Sequence, residues 1–309
     1  VVLCHGIFGL DTLKVEDYGK PDMKKIVSLL LLLCLPLSAL AGVRVVTSFS
    51  VLADLTRQVG GDRVSVVSLV GPDQDAHVFQ PSPSDVKQLS GAQVFVVNGL
   101  GMEGWLGRLT RSAGFKGVTV VASRGVQPIK GIGEELIDPH AWHDPQRLQL
   151  YVKNIEAGLS KADPAGAAVY HQRAHAFSLR VTALDQWAST QFASVPAAQR
   201  KVVTSHDAFG YLGHRYQIRF LSPQGVSTES EASAMGVAKL VRQLRTEKVK
   251  AIFFESMTDQ HLLKQIANEA HVRVSDKLYS DALSVPGGPA DSWEKMFRYN
   301  VTTIMRSLK

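Results

Sequence analysis

The chain has 309 residues, 45% of them apolar and 20% charged, with a mean hydropathy close to zero. That composition excludes a disordered chain and a protein of many membrane spans. The net charge of +6 is dispersed, with no run of Lys or Arg longer than two, so it reads as a solvated surface and not as a nucleic-acid footprint.

From Met23 the sequence reads as a secretory signal peptide: Lys24-Lys25, an apolar run from Ile26 to Leu37, and the small-x-small site Ala39-Leu40-Ala41. Residues 1–22 read as an upstream, non-native segment and 23–41 as the signal, and cleavage is expected after Ala41. Both cysteines, Cys4 and Cys34, precede that point, so the exported chain depends on its core and not on disulfides. A lipid anchor on Cys34 is not expected, because Leu33 stands where a small residue is needed.

Short Val-rich runs follow at Val43–Thr47, Val64–Val70, Val94–Val97 and Val118–Val121. Their apolar continuity suits strands covered on both faces, as in a parallel sheet. A helix opens at Ser82-Pro83-Ser84-Asp85, with Ser82 as its N-cap. Asp144-Pro145 and Asp163-Pro164 are two more helix starts. After the second, Val169, Phe177, Val181, Leu184, Ala188 and Phe192 fall on one stripe, and no breaker appears before Pro196. This predicts one long helix over 164–195. Strand candidates resume at Lys201–Thr204, Ile218–Leu221, Ala251–Phe254 and Val272–Ser275, and Thr228-Glu229-Ser230-Glu231 reads as a capping box opening a helix to about Glu247. The fold class is therefore α/β: two similar lobes, 42–163 and 196–309, each a mostly parallel sheet flanked by helices and joined by the long helix.

Ligands of open α/β sheets bind beyond the carboxyl ends of the strands. Three histidines occupy such loops: His77 after Val64–Val70, His140 in the proline-flanked turn DPHAWHDP, and His206 directly after Lys201–Thr204. Asp281 follows the last strand candidate. Three imidazoles and a carboxylate suit a divalent ion such as zinc. Taken singly, each histidine reads as a turn residue bonding the backbone; the set together does not. His171, His175, His261 and His271 read as surface residues, and His214 as a capping or dipole residue at a helix end. Gly99-Leu100-Gly101-Met102-Glu103-Gly104 fits GxGxxG but follows the third strand, not the first, so tight-turn glycines explain it better than a dinucleotide site.

The stretches HVFQPSPSD, VNGLGMEGWL, DPHAWHDP, TSHDAFGYL, GVSTESEASA and YSDALS, in this order across 43–309, resemble the metal-specific solute-binding proteins of ABC importers, the ZnuA/TroA-like group. The resemblance implies two α/β lobes with the metal in the cleft between them, held by His77, His140, His206 and Asp281. It implies a monomeric periplasmic protein that is not an enzyme, binds no nucleic acid, and delivers its ion to a membrane permease. The histidine at 206 tilts the reading to Zn²⁺, with Mn²⁺ or Fe²⁺ as alternatives. The chain departs from the group in lacking histidine from Phe115 to Ile137 and in carrying His143 where an apolar residue is usual. His143, Asp207 and Glu255 are candidates to support the ligands from behind. Two rivals remain at this level: a secreted zinc hydrolase using three of the ligands and a water, with Glu255 or Asp207 as base, and a binding module for a metal chelate. Whether Asp281 or water completes the site separates the first from ion capture.

Overall fold

The computed structural model describes residues 42–131, 136–247, 249, 251–258 and 260–309. The expected upstream segment, the signal peptide and Cys34 lie outside them. Among the described residues no helix is long and apolar enough to cross a membrane.

The first sheet has four parallel strands in the order β2-β1-β3-β4: β1 Val43–Phe49, β2 Val64–Val70, β3 Val94–Val97 and β4 Val118–Val121. Three of the four match the expected bounds, and β1 runs two residues longer. β3 is buried at every position and β1 at all but Arg44. A strand covered on both faces favours apolar side chains, in keeping with the valines of β1 and β3; the buried Thr47 and Ser48 hydroxyls of β1 find acceptors in Phe49 O and the Glu103 carboxylate. Helices α1 (Ser50–Gly60), α2 (Pro83–Ser90), α3 (Leu106–Ala113) and α4 (Pro145–Ala162) connect and flank the strands. The expected starts hold. The Ser82 hydroxyl accepts from the Asp85 amide while the Asp85 carboxylate accepts from the Ser82 amide, and Asp144 accepts from Gln146 N.

Asp163-Pro164 opens a 3₁₀ turn, Pro164–Gly166, and α5 then runs from Ala167 to Ala193. Its 27 residues span about 40 Å at the usual rise per residue. Phe177, Val181, Leu184, Ala188 and Phe192 face the core as expected. Val169 does not: it is exposed, and Tyr170 takes the inward position with its hydroxyl donating to Asp163. At about 3.6 residues per turn, position 170 lies seven residues before Phe177 and shares its face, whereas position 169 is turned off the stripe.

The second sheet departs further from expectation. Among the described residues, only β5 (Lys201–Val203) and β6 (Arg219–Leu221) form a paired ladder here. Ala251–Phe254 and Val272–Ser275 contribute isolated parallel bridges, Val203 to Ile252 and Ile252 to Val274, followed by Glu255 to Leu278. Between the last two the register slips by one residue. Such a bulge breaks the ladder and turns the chain, and bulges of this kind gather beside functional sites. Helices α6 (Gly210–Tyr216), α7 (Ala234–Glu247) and α8 (His261–Ala270) surround this sheet, and α9 (Trp293–Leu308) ends the chain. α7 does not open at Thr228–Glu231. It starts six residues later, where Ser233 accepts from Gly236 N. The Thr228 hydroxyl is turned instead toward the first lobe.

Two apolar clusters fill the molecule. The larger runs from the first sheet through α5 and α9 into one side of the second sheet; the smaller lies between the second sheet and α7 and α8.

Candidate metal centre

His77 follows β2 in a turn set by Asp75, whose Oδ1 accepts the His77 amide at 2.8 Å. The same Asp-x-His device recurs at the second histidine. Asp138 Oδ1 accepts the His140 amide and also lies 2.8 Å from His140 Nδ1. The Pro139 carbonyl between them accepts from the Asn98 side-chain Nδ2 at 2.9 Å, and Asn98 sits directly after β3. Gly210 lets Asp138 approach, since a Cβ there would stand 2.4 Å from Asp138 Oδ2. His206 follows β5, and Asp281 follows the segment that bridges Glu255. His77, His206 and Asp281 thus lie in loops beyond the carboxyl ends of parallel segments, and His140 joins them from the turn after Ile137, so that two of the four come from each half of the chain.

They meet at one point. His140 Nε2 lies 3.3 Å from His77 Nε2 and 3.4 Å from His206 Nε2. Asp281 Oδ2 is 3.3 Å from the Nε2 atoms of both His77 and His206, and Oδ1 is 3.4 Å from that of His140. The four residues are the group of potential metal donors found among the described residues, and all are buried. Neither oxygen of Asp281 accepts a well-formed hydrogen bond from the protein, although the residue is fully buried. A buried carboxylate with no donor is costly unless a cation compensates it.

The electrostatics answer that need in two ways. Burial works against a proton on His140, but Asp281 and then Asp138 outweigh it and raise its pKa to about 9. Burial likewise opposes a charge on His206, and Glu255 and Asp281 overcome it, so its pKa rises well above the usual value. Burial would raise the pKa of Asp281, yet the two imidazoles hold it well below the carboxylate range. Without a metal, imidazolium protons supply the positive charge that the carboxylate requires.

Of the three supporting candidates, the structure brings Glu255 to its ligand. Glu255 Oε2 lies 2.6 Å from His206 Nδ1, Oε1 accepts the His206 amide at 2.9 Å, and the Ser280 hydroxyl donates to Oε2 at 2.6 Å. Asp207 is buried beside His206, but the carboxylate against the imidazole is Glu255. His143 is neither exposed nor part of the donor group. It is 1% exposed, packs on Phe209 with ring centroids 4.7 Å apart, and burial pushes its pKa down to about 3. Asp138, held against His140 Nδ1, is a further candidate supporting residue that the sequence reading missed. The signal was present in the paired Asp-x-His triplets at 75–77 and 138–140.

The remaining expectations also resolve. His171, His175, His214, His261 and His271 are exposed. In the GxGxxG turn, the Asn98 and Gly99 amides donate to the carboxylate of Glu103, at 2.6 and 3.1 Å. A pyrophosphate would have to displace this internal acceptor, so the turn closes on itself. Of the two bases considered for a hydrolase, Glu255 is committed to His206, and Asp281 lies within 3.4 Å of the three imidazole nitrogens.

Residues 45–307 match the family described as zinc-uptake complex component A, periplasmic. The chain is 32% identical over 274 residues to the manganese-binding lipoprotein MntA of Bacillus subtilis, covering 86% of this chain and 90% of that protein. It is 30% identical to the manganese ABC transporter substrate-binding lipoprotein PsaA of Streptococcus pneumoniae, covering 86% and 88%. Among solved structures, the periplasmic zinc-binding protein TroA of Treponema pallidum superposes with a TM-score of 0.82 at 29% identity, over 86% of this chain and 99% of that one. The lipoprotein names run against the expectation of a product without a lipid anchor; Cys34, on which that expectation rested, is outside the described residues. The chain belongs to the zinc-uptake component A family, the extracytoplasmic substrate-binding proteins of metal ABC importers, and is a binding protein rather than an enzyme.

Proposed function

We propose that the protein captures a single zinc ion with His77, His140, His206 and Asp281 and presents it to the permease of an ABC importer. The observation that carries this reading is the spacing of the donors. Tetrahedral zinc, with bonds of roughly 2.0–2.1 Å to nitrogen, sets its ligands about 3.3–3.4 Å apart. The donor pairs described above lie at 3.3 and 3.4 Å. The site is closed, as expected of a carrier: His77 is 4% exposed and the other three residues 0%. That enclosure also disfavours a metal chelate, which needs room for its organic ligand. In this reading 42–163 and 196–309 are the two lobes, 164–195 ties them, and the periplasmic protein acts as a monomer. Glu255 and Asp138 fix the tautomers and directions of His206 and His140.

Manganese is the second reading, favoured by a specific observation. Both oxygens of Asp281 face imidazole nitrogens, so the carboxylate can offer two donors and raise the coordination number beyond four. Relatives named for manganese, such as MntA, point the same way.

The test is to strip the chain of metal, offer equal zinc, manganese and iron, and measure the bound element beside His140→Ala and Asp281→Ala. One zinc per chain, weakened at least a hundredfold in both variants, is the expected result. Preferential uptake of manganese would transfer the assignment to the second reading, and no uptake of any of the three would overturn both.

A further inference from the structure

The Thr228-Glu229-Ser230-Glu231 stretch has the pattern of a helix cap but caps nothing, since α7 begins at Ala234. What it does is cross the cleft. The Thr228 hydroxyl donates to Asp75 Oδ2 at 2.6 Å, and the other oxygen of the same carboxylate accepts the amide of His77. The strap that carries Thr228 is also fastened at its other end. The Gly225 carbonyl accepts the amide of Asp207, the residue after His206, at 3.1 Å, and Val226 between them is buried. Residues 225–228 therefore run from the neighbour of one ligand histidine to the neighbour of another, on opposite lobes. Cavities of about 560 and 440 Å³ border this strap; the first reaches His77, and the second reaches Ser205, which precedes His206.

We propose that Thr228 is a positioning residue that sets the residence time of the bound metal, by latching the strap to the carboxylate that orients His77. This rests on the reading of the four-residue centre as a metal site. The reasoning is kinetic. Ligands this deeply buried release their ion only when the lobes part, and a bond spanning the cleft must break as they do. Asp75 serves both functions through one carboxylate, so closing the strap and ordering the His77 turn reinforce each other. A hydroxyl-to-carboxylate bond of this kind affects release far more than the identity of the ligands, because Thr228 touches none of them. Differences of this sort appear mainly in dissociation rates.

The experiment follows zinc leaving the full chain into excess chromogenic chelator by stopped flow, for the parent, Thr228→Val and Thr228→Ser, with cobalt(II) absorption as a monitor of ligand geometry. Thr228→Val is expected to release zinc roughly ten- to a hundredfold faster, the range for loss of a hydrogen bond to a charged group. Its cobalt spectrum and its stoichiometry of one should match the parent, and Thr228→Ser should restore the slow rate. In an Asp75→Ala background, Thr228→Val should have no further effect. A Thr228→Val rate within twofold of the parent overturns the inference while leaving the metal site intact. So does an altered cobalt spectrum, a failure of serine to rescue, or a full additive effect in the Asp75→Ala background. A parent chain that takes up no metal overturns the functional reading, and the inference with it.

Discussion

At the scale of single residues, the centre proposed to hold the metal balances its buried carboxylate with imidazolium protons. The four proposed donors were legible in the sequence because His77, His206 and Asp281 follow strand candidates, His140 sits in a proline-flanked turn, and all four carry metal-binding chemistry. Their supports were harder to read. Glu255 closes a strand candidate and so was in view, whereas Asp138 meets His140 only through a turn, and Ser280 reaches Glu255 only through the fold. The balance has a testable consequence. His140, its proton held by Asp281 and Asp138 against burial, titrates at about 9, and His206 is shifted in the same direction. Because these folded values exceed the unfolded value near 6.5, the stabilisation they give the metal-free protein is complete below about pH 6.5. It fades as pH rises toward 9. Asp281 is shifted the other way, so its contribution holds throughout this window and is lost only in acid. If His140 and His206 bind the metal as proposed, it must displace both imidazolium protons. Zinc affinity is therefore expected to climb between pH 6.5 and 9, approaching two protons released per ion, while the metal-free protein loses stability over the same range. Calorimetry in buffers of different ionisation enthalpy measures the protons directly. An affinity flat across this window would show that the imidazoles are already neutral.

At the scale of elements, the first sheet could be read from the sequence almost residue by residue, and the second could not. Strands covered on both faces leave a run of valines, whereas Ala251–Phe254 and Val272–Ser275 make single bridges and then slip register, a geometry with no signature in hydropathy. The capping box at Thr228 misled for a related reason. The pattern records hydroxyl and carboxylate spacing, and the same hydroxyl can serve a partner across the cleft. Glycines show the same dependence on packing. By helix propensity alone, Gly→Ala should stabilise any helix by about 1 kcal/mol. Gly158 in α4 is an exception, since a Cβ there would stand 2.1 Å from Val120 Cγ2 in β4. Gly107 in α3 is exposed, with only the end of the Arg111 side chain, at 3.3 Å, near a new Cβ. Gly158→Ala is expected to destabilise the fold by ~1–3 kcal/mol through overpacking, and Gly107→Ala to be neutral or stabilising. Urea midpoints of the two variants decide this; a stabilised Gly158→Ala would mean that α4 can shift away from the sheet at little cost.

At the scale of the whole molecule, the two lobes follow from the alternation of strands and helices in each half of the sequence, but their joining does not. The final helix shows why. An amphipathic stripe says that α9 buries one face, and nothing in it says which surface receives that face. In the structure α9 comes back against α5 and α1. The Trp293 amide donates to Asp54 Oδ2 at 2.8 Å, and its indole donates to the Trp142 carbonyl at 3.0 Å. The segment carrying Asp281 is pinned across the cleft as well. The Leu283 amide donates to Ser50 Oγ, the Leu283 carbonyl accepts from Asp73 N, and the Trp142 indole donates to the Ser280 carbonyl. Trp142 lies two residues from His140, so the tryptophan joins the segments of two ligands from different lobes. With the larger core running unbroken through α5 and α9, the lobes are coupled both by packing and by the metal centre. Metal bound at this junction should therefore stabilise the molecule as one unit. At a free zinc concentration a hundred times the dissociation constant the gain is about 2.7 kcal/mol. Thermal unfolding is expected to show one transition in zinc that moves down as a whole on chelation, with fluorescence and circular dichroism reporting the same midpoint. Two transitions, of which zinc moves only one, would instead place the metal's hold within a single lobe and make α5 and α9 passive connectors.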